Sequence, residues 1–289
     1  MKRALRALWA AWTCVGPVRA GSVGQAVPVG DVLWALPWLG VLLGIAWTIL
    51  FAGTWRVFGE SLTGLRLVPA LAVLLGDLVL TGRFLMAGVR ATEALALGDD
   101  DRLDCRRPDI TAVGAIAAIA LVLGTYVLLL AIPKGIEWWP ADWRHHLHWA
   151  YPRPIFRPLV LAPAWTCWAM VLAAGMGRAK AGTEDGADAG GRGGNELLDR
   201  LAGQAVPSQI FLGFVPAAVI SAIYASRDGN LVIGLGVALI VFVCVYATAM
   251  AASLRWRGQN GVTILAAGLV GRAAFLLCWL FLGRALHGW

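Results

Sequence analysis

The chain has 289 residues, 59% of them hydrophobic and 14% charged, with a net charge of +7. This composition excludes a soluble globular domain, whose charged fraction is nearer a quarter. It predicts an all-α, polytopic integral membrane protein.

In chain order, residues 1–30 read as an interfacial amphipathic segment, because Lys2, Arg3 and Arg6 interleave with Leu5, Leu8, Trp9 and Trp12. The opening residues are too weakly apolar to span a bilayer and lack a signal-peptide core. Residues 31–289 read as one transmembrane helical domain. About 20 apolar residues are needed per span, and seven runs qualify, near 32–55, 65–82, 111–132, 158–176, 209–226, 231–252 and 262–286. Continuous runs point to helices, since a spanning segment must satisfy its own backbone hydrogen bonds. A second amphipathic helix is expected over 84–97, followed by an acidic soluble loop from Gly98 to Pro108. The segment from Pro133 to Pro154, with Trp138, Trp139, Trp143, Trp149 and Tyr151, suits the headgroup level. Residues 177–205 read as a flexible linker, rich in Gly and Ala.

Most of the Lys and Arg fall on one side of this topology, including Lys2, Arg6, Arg83, Arg102, Arg106, Arg107, Arg178, Lys180 and Arg255. That bias predicts a cytoplasmic N-terminus and a non-cytoplasmic C-terminus. It also accounts for the positive charge without a nucleic-acid partner. The five cysteines, Cys14, Cys105, Cys167, Cys244 and Cys278, show no CxxC spacing and imply no disulfide framework.

Residues 80–95 read L-T-G-R-F-L-M-A-G-V-R-A-T-E-A-L. This stretch resembles the signature L-T-G-G-x-H-x-D-G-x-x-D-T-x-D-G of the cobalamin-5′-phosphate synthase family (adenosylcobinamide-GDP ribazoletransferase). Leu80, Thr81, Gly82, Gly88 and Thr92 keep the frame, while Leu85 stands at the His and Ala87, Ala91 and Ala94 stand at the three Asp. Other family blocks recur in the same manner. Leu36-Pro37-Trp38-Leu39-Gly40-Val41-Leu42-Leu43-Gly44 is similar to F-P-L-V-G-L-L-L-G, and residues 162–170 to A-P-x-x-G-R-W-A-M, with Cys167 at the Arg. Cys14 stands at the Arg of a Phe-Leu-Thr-Arg-Ile-Pro segment, and Val262 at the Asp of a block traced loosely over 258–266. The resemblance implies a polytopic fold in a bacterial inner membrane and an ancestral Mg²⁺-dependent transfer of a phosphoryl-linked group.

The substitutions remove that chemistry. Carboxylates at i, i+4 and i+7 would share one helix face and hold Mg²⁺ against pyrophosphate oxygens, and alanine donates nothing. Arginine grips diphosphates bidentately, which cysteine cannot do. The catalytic expectation is therefore none, with no cofactor and no metal. Mg²⁺ enters only if a rearranged site forms from Glu93 with Asp99, Asp100, Asp101, Asp104 or Asp109. Asp109 matches the Asp of a later Lys-Asp-Ser family segment, so Glu93, Asp109, Arg83 and Arg90 are the residues for residual ligand binding. Arg83 and Arg90 are alternatively anchors for an interfacial helix. Asp77 and Arg272 are ionisable residues deep in spans and are expected to be a charge pair or separately satisfied. His145, His146 and His148 are either surface residues or ligands for a metal or pigment.

Three functions follow. The first is a catalytically degenerate structural or accessory subunit of a membrane complex, in contact with lipids and other membrane subunits. The second is an active transferase joining α-ribazole to adenosylcobinamide-GDP with release of GMP. The third is a lipid- or small-molecule-binding protein using the old corrinoid cavity. Separately, Ala87, Ala91 and Ala94 are expected on one helix face turned toward a cytoplasmic cavity, the remnant of the metal site.

Overall fold

A computed structural model describes residues 2–16, 27–59, 66–103, 109–132, 154–177, 196–225 and 231–287. The regular elements among them are helical: α1 (Lys2–Val15), α2 (Val29–Phe58), α3 (Leu67–Leu97), a 3₁₀ turn (Asp100–Leu103), α4 (Ala112–Leu130), a second 3₁₀ turn (Pro154–Phe156), α5 (Arg157–Gly175), α6 (Glu196–Leu201), α7 (Pro207–Ala225), α8 (Val232–Arg255) and α9 (Gly261–His287). Seven of these, α2, α3, α4, α5, α7, α8 and α9, are long and apolar enough to cross a membrane. The chain is an all-α polytopic membrane protein.

The hub is α5, whose apolar window is 89% buried, against 17% for the peripheral α4. Close approach onto α5 needs residues without side chains. On α2, a Cβ at Gly44 would lie 2.2 Å from the Val160 carbonyl oxygen, and one at Gly40 would lie 2.7 Å from the Ala164 Cα. The two blocks that resemble family segments, 36–44 and 162–170, thus pack directly on each other through backbone. This is the small-residue contact by which membrane helices gain dispersion energy where the hydrophobic effect is absent. Behind it lies an aromatic layer, with Trp165 edge-on to Trp168 at 5.2 Å and Trp168 beside Phe214 at 5.2 Å.

A kink at Thr81 (φ −137°, ψ 30°) divides α3 into the span and the second helix expected over 84–97. At the bend the Thr81 hydroxyl lies 2.7 Å from the Asp77 carboxylate and 2.9 Å from the Asp77 carbonyl. Beyond the bend, Ala87, Gly88, Val89, Ala91 and Ala94 are buried against protein, while Leu95 and Leu97 are exposed. The linker over 177–205 is shorter than expected. Its last part forms α6, with Leu197, Leu198, Leu201 and Ala202 buried, and Asp199 accepts the Gly261 amide of α9 at 2.7 Å.

One end of the bundle gathers α1, the end of α3, the first 3₁₀ turn, α6 and the start of α9. Arg3 is bound to Asp31 at 2.6 Å, Arg255 to Asp100 at 3.3 Å, and Asn260 donates to the Leu103 carbonyl at 3.4 Å. α9 opens with a reciprocal cap, Thr263 N–H to Asn260 at 3.0 Å and Asn260 N–H to Thr263 at 2.9 Å. At the opposite end, Arg66 donates to the Ile132 carbonyl at 3.0 Å and lies over the Trp55 ring.

Candidate functional site

The fold brings the degenerate motif positions together. Cys14 of α1, Ala87, Ala91 and Ala94 of α3, Cys167 of α5 and Val262 of α9 all belong to one continuous apolar cluster. Ala87, Ala94, Cys14 and Cys167 have no solvent-accessible surface and Val262 has 1%. A residue with no accessible area borders no space that can hold a water molecule. Ala91 keeps 9%, so the alanine face meets packed side chains over most of its area and not the open cavity expected of a remnant site. Leu85, at the His position, is half-buried and outside that cluster. The Cys14 thiol donates to the Ala10 carbonyl at 3.4 Å, and burial pushes its pKa up to about 12, with Arg83 opposing the shift. It is a neutral core group at neutral pH.

The charged residues closest to the motif are paired. Arg90 and Glu93 are both fully buried, with Arg90 Nη1 2.7 Å from Glu93 Oε2. The other Glu93 oxygen, Oε1, accepts the Thr111 amide at 2.7 Å and its hydroxyl at 2.6 Å. Thr111 is the N-cap of α4, its own oxygen accepting the Gly114 amide at 3.1 Å. A Cβ on Gly114 would lie 2.2 Å from Glu93 Oε1, so glycine there is what lets α4 begin against the carboxylate. Arg90 also donates to the Asp109 carbonyl at 2.8 Å.

In this geometry most carboxylates of the expected rearranged metal site are engaged by other side chains. The Glu93 carboxylate is directed at Arg90 and Thr111, while the Asp109 carboxylate accepts from Arg102 at 2.6 Å and Asp99 lies 3.3 Å from Arg102. Asp100 is engaged by Arg255, and Asp101 donates its amide to Asp99 at 3.0 Å. Among the described residues no three His, Cys, Asp or Glu are grouped to hold a metal. Asp104, and His145, His146 and His148 with the Trp-rich segment, lie outside the described residues. The anchor reading of the two arginines is corrected. Arg90 is buried in the Glu93 pair, and the half-buried Arg83 donates to the Thr13 carbonyl, fastening the end of α1 to α3.

Deeper in the bundle, Arg272 of α9 donates to Asp77 of α3. Asp77 also accepts the Thr81 hydroxyl at 2.7 Å, and Arg272 Nε donates to Thr166 at 3.2 Å. The guanidinium lies 4.9 Å from the Trp47 ring centroid and 5.4 Å from that of Phe84. The pair has no net charge, and two aromatic faces cover the cation, an arrangement suited to holding an ion pair in hydrocarbon. Sequence reasoning did not anticipate Thr111, Thr166 or Trp47. Only Thr111 carried a signal, being a capping residue type directly before an apolar run.

Comparison with protein-family models, with curated proteins and with solved structures finds no significant match, so the family resemblance rests on the motif residues quoted above.

Proposed function

We propose that this chain is a non-catalytic, cobalamin-synthase-like membrane protein, kept as a structural or accessory subunit of an assembly in a bacterial inner membrane, with α1 on the cytoplasmic side. One observation carries this reading. The positions that would hold metal and diphosphate in the family are occupied by apolar groups, of which Cys14, Ala87, Ala94 and Cys167 have no accessible surface, Val262 has 1% and Ala91 has 9%. Chemistry at that place would require a cavity, an oxygen ligand set and a free cation, whereas the nearest carboxylate, Glu93, is committed to Arg90 and Thr111. On this reading the chain acts through its outer surface. The exposed row Ile116, Ile119, Leu123 and Val127 on α4 offers apolar area to lipid or to a neighbouring subunit.

The test is twofold. Purified protein in nanodiscs, given adenosylcobinamide-GDP, α-ribazole or its phosphate, and Mg²⁺, is expected to give no product above a protein-free control. Gentle extraction from native membranes is expected to yield the chain together with other membrane subunits in fixed ratio. Turnover would restore the transferase reading, and a free monomer in native membranes would remove the accessory role.

A further inference from the structure

We infer that α1 is a docking helix for anionic lipid headgroups, mounted on the bundle with its lipid-binding face already formed. At about 100° per residue, its 14 residues divide into three faces. Ala7, Ala10, Ala11 and Cys14 form a small-residue face buried against the core. On one side of this face lie Leu5, Leu8, Trp9 and Trp12, with Leu8 and Trp12 partly packed on the core and Leu5 58% and Trp9 45% exposed. On the other side lie Lys2 and Arg6, both exposed, while Arg3 is in line with the small-residue face, where it meets Asp31.

Three observations select the occupant. The first is charge complementarity. Arg3 is taken by Asp31, whereas Lys2 and Arg6 are exposed cations engaged by no described residue, leaving two positive groups to be matched by an anionic surface. The second is depth. Arg3 fixes the start of α1 to Asp31, and on α2 the exposed Trp34 and Trp38 follow within about 10 Å along the axis. Tryptophans exposed at that level mark a headgroup belt, so α1 lies where phosphates are. The third is the pairing of flanks. An apolar flank that can enter the acyl boundary beside a basic flank that meets phosphate is the arrangement of an interfacial helix. A protein partner would not require this division.

Native mass spectrometry of the full-length protein in detergent, titrated with dioleoyl phosphatidylglycerol or dioleoyl phosphatidylcholine, tests the assignment. Phosphatidylglycerol is expected to be retained in preference. Each basic residue near an anionic surface contributes about fivefold in affinity, so Lys2→Gln with Arg6→Gln is expected to weaken phosphatidylglycerol binding about thirtyfold and leave phosphatidylcholine unchanged. Arg56→Gln, at the other end of α2, is expected to have no effect on either lipid. As a second readout in nanodiscs, hydrogen exchange of the α1 amides is expected to slow when phosphatidylglycerol is added to phosphatidylcholine, and not to slow in the double variant. Equal retention of the two lipids, or an Arg56→Gln effect as large as that of the double variant, overturns the inference. So does a polypeptide or second copy held at α1 and released by the double variant, which would make the face a protein interface.

Discussion

Glu93 and Thr111 are joined twice, the carboxylate oxygen Oε1 accepting both the amide and the hydroxyl of the threonine. An acidic residue within the stretch 80–95 is thereby used to start the next helix. Its other oxygen neutralises Arg90, and neither side chain reaches water. Removing one partner of a buried pair leaves an uncompensated charge and costs about 3–5 kcal/mol. Glu93→Ala is therefore expected to lower stability by about that amount in a denaturant titration in mixed micelles. Gly114→Ala, which would press a methyl group against Oε1, is expected to cost about 1–3 kcal/mol. Combined with Glu93→Ala it should add almost nothing, because the obstruction has gone. Full additivity would show that Glu93 and the start of α4 are independent.

The Asp77–Arg272 pair makes a different prediction. Its partners Thr81, Thr166, Trp47 and Phe84 complete a neutral cluster in the bundle. Asp77→Ala alone strands Arg272 in low dielectric and is expected to cost about 3 kcal/mol, as is Arg272→Met alone. The double substitution is expected to recover most of the loss, since an apolar pair of similar volume needs no desolvation to be repaid. A double-mutant cycle in detergent reads the coupling directly, and additive losses would show that the two charges do not depend on each other.

The fold was legible where composition alone decides. Seven apolar runs became the seven helices long enough to cross a membrane, because hydrocarbon forces each run into a helix of set length. Residues 84–97 were harder to read. Arg83, Arg90 and Glu93 among apolar neighbours give an amphipathic pattern, and periodicity cannot say whether the apolar face meets lipid or protein. Ala87, Ala91 and Ala94 allowed close packing, and Arg90 with Glu93 cancelled each other, so that face was buried while Leu95 and Leu97 stayed exposed. α6 stayed hidden for a related reason: six residues next to a Gly-rich stretch carry too little pattern to announce a helix. Asp77 and Arg272 stood out as ionisable residues within spans, but Thr166 and Trp47 look like any others in an apolar helix until tertiary structure brings them to the guanidinium.

Glycines distinguish packing from flexibility. Gly44 meets the Val160 backbone, and neither helix can yield there without separating α2 from α5. Gly82, inside the motif frame, has nothing within 4 Å of a hypothetical Cβ. Gly44→Ala is expected to destabilise by about 1–3 kcal/mol, and Gly82→Ala to be neutral or stabilising by up to about 1 kcal/mol. Thermal unfolding of the two variants in one detergent decides this. Equal losses would mean that motif glycines serve something other than helix contact.

Cys14 gives a pH signature. Its thiol, ordinarily near 9, is held at about 12 by burial. A raised acid pKa means that the folded state keeps its proton more tightly than the unfolded one. The resulting stability is fully present below about pH 9 and is lost as pH rises toward 12. At pH 8 a small thiol reagent is expected to leave Cys14 unmodified in the native protein and to modify it on unfolding, as followed by mass spectrometry. In Cys14→Ala the part of the alkaline stability loss that belongs to this group should disappear. Rapid native labelling would show that α1 does not close over the thiol as described.

Restoring the motif tests whether the site is vacant or filled. If Ala94 bordered a cavity, Ala94→Asp would place a carboxylate in water and would move the molecule toward Mg²⁺ binding. Ala94 has no accessible surface and its neighbours belong to a continuous apolar cluster. An aspartate there must displace packed atoms and bury either an ionised carboxylate, which costs several kcal/mol, or a protonated one lacking partners. Ala94→Asp is thus expected to lower the unfolding temperature markedly, with no recovery in millimolar Mg²⁺ and no Mg²⁺ binding by calorimetry. Ala94→Ser, smaller and neutral, is expected to be tolerated far better, which separates the charge from the volume. A stable Ala94→Asp variant that gains stability with Mg²⁺ would mean that α3 borders a pocket able to hold the cation and would favour the transferase reading.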